Sequence, residues 1–140
     1  MTKEPIEILG EYLADPIAVG MGGINLRAAL GGNYTSTPVA PAGWKNTQVC
    51  IVYHEETGSS HITDAKREAN VLFKCYGGSA SYKAANAVRQ NLYGYLHNAR
   101  GVQTASGKIV LAEEIMRFQG PPEPDTGWPV AIAKYRITTE

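Results

Sequence analysis

Residues 67–102 read REANVLFKCYGGSASYKAANAVRQNLYGYLHNARGV, and within them the hydrophobic period changes from two to about 3.6. Up to Tyr76 the residues alternate. Ala69, Val71, Phe73 and Cys75 take one side and Asn70, Leu72, Lys74 and Tyr76 the other, which predicts a strand with the first set toward the core. Gly77-Gly78 turns the chain, and Ser79 or Ser81 is placed to cap a helix running to about Asn98. The stripe Ala85, Val88, Leu92, Tyr95, Leu96 and Ala99 is expected to cover one sheet face, with Lys83, Asn86, Arg89 and Gln90 pointing mostly away. Gly101, just after the cation Arg100, suits a left-handed C-cap.

Upstream, QVCIVYH (Gln48 to His54) is a continuous β-branched run of the kind found in a central strand. EETGSSHITDAK (Glu55 to Lys66) holds Gly, Ser, Thr and Asp in a polar cluster and reads as an exposed loop. The stretch from Ile17 to Thr47 holds GMGG, LGG and PVAPAGW, so it predicts a long connection with at most a short strand or helical turn near Ile24 to Leu30. A first helix is expected over 5–15, with Ile6, Leu9 and Leu13 on one stripe, Tyr12 beside it, and Asp15-Pro16 as the stop.

Downstream of Lys108, Ile109, Leu111 and Ile115 fall in one phase and Val110, Ala112, Met116 and Phe118 in the other. Glu113-Glu114 breaks both phases, which predicts a bulge or an exposed strand end carrying solvated carboxylates. GPPEPDTGWP is too proline-rich to pair centrally, and Val130 to Ile137 returns as the last strand, with Ala131, Ala133, Tyr135 and Ile137 sharing a face. The expected fold is α+β: a mainly antiparallel sheet of about four strands, one long helix on a face and a short N-terminal helix. It is expected as a single domain over 1–140, with a β-β-α-β-β core over 48–137.

Thirteen basic residues balance thirteen acidic ones, so the chain lacks the positive field of a nonspecific nucleic-acid binder. The segment MTKEPIEILGEYLADP is broken by charge before it resembles a signal peptide, and no run approaches a membrane span, so a reducing cytoplasm is the expected site of synthesis. Cys50 and Cys75 lie in apolar strand patterns and are expected to be reduced, buried and dispensable for activity. His54, His61 and His97 show no metal-ligand spacing. GMGGINLRAALGG matches neither a P-loop nor a dinucleotide fingerprint, no GxSxG elbow is present, and no partner acid, histidine or lysine is tied by spacing to Glu113-Glu114. Catalytic, cofactor and metal residues are therefore expected to be none.

Tyr34, Trp44 and Trp128 fall in glycine- and proline-rich connections, where an aromatic either anchors its own loop or serves as a contact anchor for a partner. Together, the short opening helix, the strand VCIVYH with its polar loop, the strand-to-helix segment from Arg67 to Val102, and a closing hairpin ending AKYRITTE resemble the tail terminator, or tail completion, proteins of long-tailed bacteriophages. The resemblance covers roughly two-thirds of the chain.

It implies a nonenzymatic virion protein of the tail and neck, assembled in the bacterial cytoplasm without a cofactor. Such proteins form a homo-hexameric ring on the last ring of tail tube protein, stop tube growth and present the surface that joins the neck or head-completion protein. No membrane partner and no sequence-specific nucleic acid is implied, although DNA passes close by in the tail lumen. In a ring, Glu55, Glu56, Arg67, Glu113, Glu114 and Arg117 are candidates to set the register between subunits. The glycine-rich Ile17 to Thr47 segment is long for this family. The alternatives are a head-completion or neck adaptor of the same virion, or a small cytoplasmic α+β enzyme or ligand-binding domain, which a deep pocket lined with perturbed titratable groups would reveal.

Overall fold

The alternating run and the stripe become β3 (Lys66–Gly77) and α3 (Tyr82–Leu96). They belong to a computed structural model that describes residues 4–20, 23–31, 34–35, 49–63, 66–78, 81–121 and 129–140, with backbone only for 34–35, 57–63 and 66. The Ser81 hydroxyl accepts from the Lys83 N–H at 3.2 Å and caps the helix. All six residues of the expected stripe are buried, as are Ala69, Val71, Phe73 and Cys75 on the facing strand.

Arg89 departs from the expectation. It is 5% exposed, because its place four residues after Ala85 and three before Leu92 puts its stem on the apolar stripe. Its Nη1 donates to the carbonyls of Phe118 and Ile132, at 3.1 and 3.3 Å, and its Nη2 donates to Asn86 Oδ1 and the Tyr82 hydroxyl, at 2.7 and 3.0 Å. Neutral acceptors thus surround the charge, and the guanidinium fastens α3 across the sheet.

The strand expected to end at His54 continues as β2 (Val49–Thr63), which pairs antiparallel with β3 from Val49↔Gly77 to Thr63↔Lys66. The polar stretch from Glu55 to Thr63 is therefore strand. A hairpin satisfies its own backbone whatever its side chains, and three register slips absorb the irregular sequence. A fifth antiparallel strand, β4 (Ala99–Gln103), was also not anticipated. Helix α3 gives way to it through Asn98, at φ 63°; Gly101 is left-handed as expected, at φ 62°, but lies inside β4 and not at the helix end.

Strands β5 (Lys108–Gly120) and β6 (Val130–Thr139) complete the antiparallel set, and β1 (Tyr34–Thr35) adds a two-residue parallel pairing to β2. The order across the sheet is β1-β2-β3-β6-β5-β4, so β6 lies between two strands that precede it in the sequence.

Helix α1 (Pro5–Leu13) and the short α2 (Leu26–Leu30) join α3 over one sheet face, burying Ile8, Leu9, Leu13, Leu26 and Leu30 with Phe73 and Tyr135. Tyr12 and Tyr95 stack at 4.3 Å, and each hydroxyl donates to the other's backbone carbonyl, at 2.9 and 2.6 Å. This reciprocal pair fixes α1 on α3. Beyond α1, the Asp15 carboxylate accepts from the Ile17 and Ala18 N–H groups, which holds its pKa below the ordinary value. Asn25 caps α2 through the Ala28 N–H and donates back to the carbonyls of Asp15 and Ala18. A short helical turn does form where the glycine-rich connection allowed one.

The opposite sheet face carries a smaller cluster of Cys50, Val52, Tyr76, Val130 and Ile132. Cys50 pairs with Tyr76 and Ile51 with Cys75, so the two free thiols point to opposite faces and cannot meet. Burial pushes the Cys50 thiol up to about 12 and raises Cys75 as well. Native labelling by a maleimide is expected to be slow at both and complete only on unfolding; rapid labelling of the folded chain would contradict their packing. Because the unfolded thiols lose their protons first, above about 8.5, the burial of neutral thiols stabilises fully below that pH and progressively less above it.

Candidate assembly interface

The candidate residues fall in separate places. Tyr34 lies in β1, with its backbone in register with Ile51 and its side chain outside the described residues; Trp44 and Trp128 also lie outside them. Arg67, at the outer end of β3, pairs with Glu4 at 2.5 Å. Glu56 on β2 receives Lys134 Nζ at 2.6 Å from across β3. Glu55 is half-buried, stands opposite Val71 on the helix-covered side of the sheet, and has no ion pair among the described residues.

Glu113, Glu114 and Arg117 come together on β5. Glu113 accepts from Arg136 at 2.6 and 3.1 Å, and this bond raises the arginine's pKa. The Glu114 side chain is 9% exposed and accepts from Arg117 Nε and Nη2, at 2.5 and 3.2 Å, and from the Tyr135 hydroxyl at 3.3 Å. The pair was expected as solvated carboxylates. Both acids are instead ion-paired, because their strand runs beside Arg136 and under the end of α3. The expected bulge is present as a register slip between Glu114 and Met116. Burial first, and Glu114 second, raise Tyr135 above the ordinary phenol range, so its hydroxyl stays a donor.

Around this group lie residues that the sequence reading missed. His97 Nδ1 accepts from the Glu114 N–H at 3.0 Å, the His97 ring stacks on Tyr93 at 4.4 Å, and the Arg117 guanidinium sits 5.0 Å from the Tyr93 centroid. Beside them Ile115, Met116 and Phe118 are exposed, Met116 by 51%. The sequence did carry a signal, since IMRFQ places apolar residues in both phases of a strand where a one-sided strand shows them in one.

These residues line an open edge. Strand β4 covers β5 only as far as Ala99↔Ala112, and from Glu113 on β5 has β6 on one side and no strand on the other among the described residues. A second open edge lies at the far end of the sheet, where, among the described residues, β1 covers β2 only at Ile51 and Val52. Unpaired strand backbone of this kind is a ready template for another strand.

Among the described residues, no group of three or more His, Cys, Asp and Glu side chains is arranged to hold a metal ion, and no helix is long and apolar enough to cross a membrane. Two shallow open depressions of about 310 and 380 Å³ flank Pro16; their one perturbed acid, Asp15, is committed to its turn.

No family model and no curated protein matches the chain. Among solved structures it is similar to a chain in the virion of a native gene transfer agent (GTA) particle, with 16% identity, a TM-score of 0.57, and coverage of 95% of this chain and 91% of that one. At that identity, the likeness shows that the two chains share a fold across nearly their whole lengths.

Proposed function

We propose that this protein is a structural component of a phage-like virion, acting without catalysis as a tail terminator. It caps the tail tube as a homo-hexameric ring, ends tube elongation, and offers its other side to the neck. The observation that carries the reading is the near-full-length fold shared with a chain of a gene transfer agent virion. The two open sheet edges support it, because a ring of identical subunits requires two different, complementary surfaces on each copy.

Deleting the gene from a producing strain tests the role directly. Electron microscopy of the resulting particles is expected to show tails longer than wild type, with few joined to heads. Tails of normal length that join heads normally refute it. Tails of normal length that stay separate from heads move the protein to the neck and also overturn the terminator role.

A further inference from the structure

We infer that the open edge of β5 is completed by β2 of a second copy of this chain, with Arg117 of one subunit opposite Glu55 of the next. The inference rests on the ring reading and specifies the ring's lateral contact.

Strand parity comes first. In the run β2-β3-β6-β5 each neighbouring pair is antiparallel, so β2 and β5 run in opposite directions at the two ends of the set. A copy added head to tail, with its helices on the same side, therefore sets its β2 antiparallel to the exposed β5. The joint continues the alternation of the sheet, and the next copy repeats it. A twofold β5–β5 contact stops at two copies and leaves both β2 edges unused.

Antiparallel pairing of Arg117 with Glu55 places Gln119 opposite Tyr53, the first β2 residue beyond the Ile51 and Val52 covered by β1. The open stretch of β5 from Glu113 to Gln119 takes Ser59 to Tyr53 in this register, and Ser60 to Thr63, past a second β2 slip, turn out of the sheet to clear β4. In the same register, the β5 slip between Glu114 and Met116 lies beside the β2 slip between Glu55 and Thr57, so the two strands bend at one level. The apolar side chains of Ile115, Met116 and Phe118, exposed in the single chain, are then covered.

Charge and face agree as well. Glu55 stands opposite Val71 and Arg117 opposite Ala133, and both partners belong to the helix-covered core, so the two charged side chains emerge on the same side of a continued sheet. Arg117 uses Nε and Nη2 on Glu114, which leaves Nη1 without a described partner and aligned by the Tyr93 ring; Glu55 has no ion pair among the described residues. An arginine already oriented by one carboxylate and an aromatic face loses little freedom when it takes a second carboxylate.

Paired cysteines test the contact in assembled particles, because opposed residues of antiparallel strands lie within disulfide reach. The full-length chain carrying Arg117→Cys and Glu55→Cys together, oxidised in purified particles and run on a non-reducing gel, is expected to give a ladder of dimers, trimers and higher forms. Each single variant is expected to stay monomeric. Met116→Cys with Glu56→Cys, on the other sheet face, keeps the Arg117–Glu114 pair intact and is expected to give the same ladder. Arg117→Cys with Glu56→Cys, on opposite faces, is expected to give none. Dimers from Arg117→Cys alone would assign β5 to a twofold contact and overturn the inference, as would particles that contain both double variants without a ladder. Overlong tails on gene deletion without a ladder leave the terminator role standing and remove this contact; a ladder with normal tails on deletion does the reverse.

Discussion

Leu92→Ala is expected to lower stability by about 2–5 kcal/mol, the range for deleting a large side chain from a core that cannot close over the gap. Leu92 is fully buried on the inner stripe of α3, in the cluster with Phe73, Tyr95 and Tyr135. The ring pairs Tyr12–Tyr95, Tyr53–Phe73 and Phe73–Tyr135 make that cluster stiff, since each ring is held by a neighbour as well as by its own backbone. Collapse into the cavity would have to disturb several such contacts. Lys83→Ala, on the exposed side of the same helix, is expected to stay within about 0.5 kcal/mol. Urea denaturation of the two variants checks the pair, and equal midpoints would show that the helix face has been assigned wrongly.

Gly77→Ala is expected to cost about 1–3 kcal/mol or more, through crowding rather than loss. Gly77 closes β3 directly beneath the start of α3, and an added Cβ would lie 2.3 Å from the carbonyl carbon of Ala84 and from the nitrogen of Ala85. Both are backbone atoms, so no side-chain rotation relieves the contact. The first turn of α3 must lift, and with it Ala85 and Val88 lose their seat on the sheet. The glycine is thus needed for close approach, while the left-handed turn residue is its neighbour Gly78, at φ 74°. A midpoint unchanged from wild type in the same urea experiment would show that the strand and the helix are not in contact there.

The parts of this fold that were legible in the sequence are those where burial alone decides the side-chain pattern. The α3 stripe and the Ala69 to Cys75 alternation each have one wet and one dry side, so hydropathy reports geometry. Arg89 escaped because hydropathy treats arginine as a surface residue, whereas its stem fits an apolar stripe and its Nη1 donates to carbonyls that belong to distant strands. The second half of β2 escaped because cross-strand pairing leaves no mark on a polar sequence, and β4 escaped because ARGVQ is too short and too irregular to alternate. At the edge of β5, the charges Glu113, Glu114 and Arg117 were identifiable one by one. Their partners Arg136, Tyr135 and His97 depend on strand register and on where α3 stops, which local sequence does not encode.

The position of β6 also bears on how the protein is made. Its register joins Arg67 to Thr139 and Glu113 to Arg136, so the strand that bridges the two halves of the sheet leaves the ribosome after both of them. Until that happens, the β2–β3 hairpin and the β4–β5 hairpin exist as separate pieces, each with a long unpaired flank open to any strand nearby. Contacts between residues so far apart in the chain form slowly. Arrested or truncated synthesis before Val130 would therefore release two sticky half-sheets, and a cell making many copies of the chain at once has a kinetic reason to finish each one before its neighbours meet it.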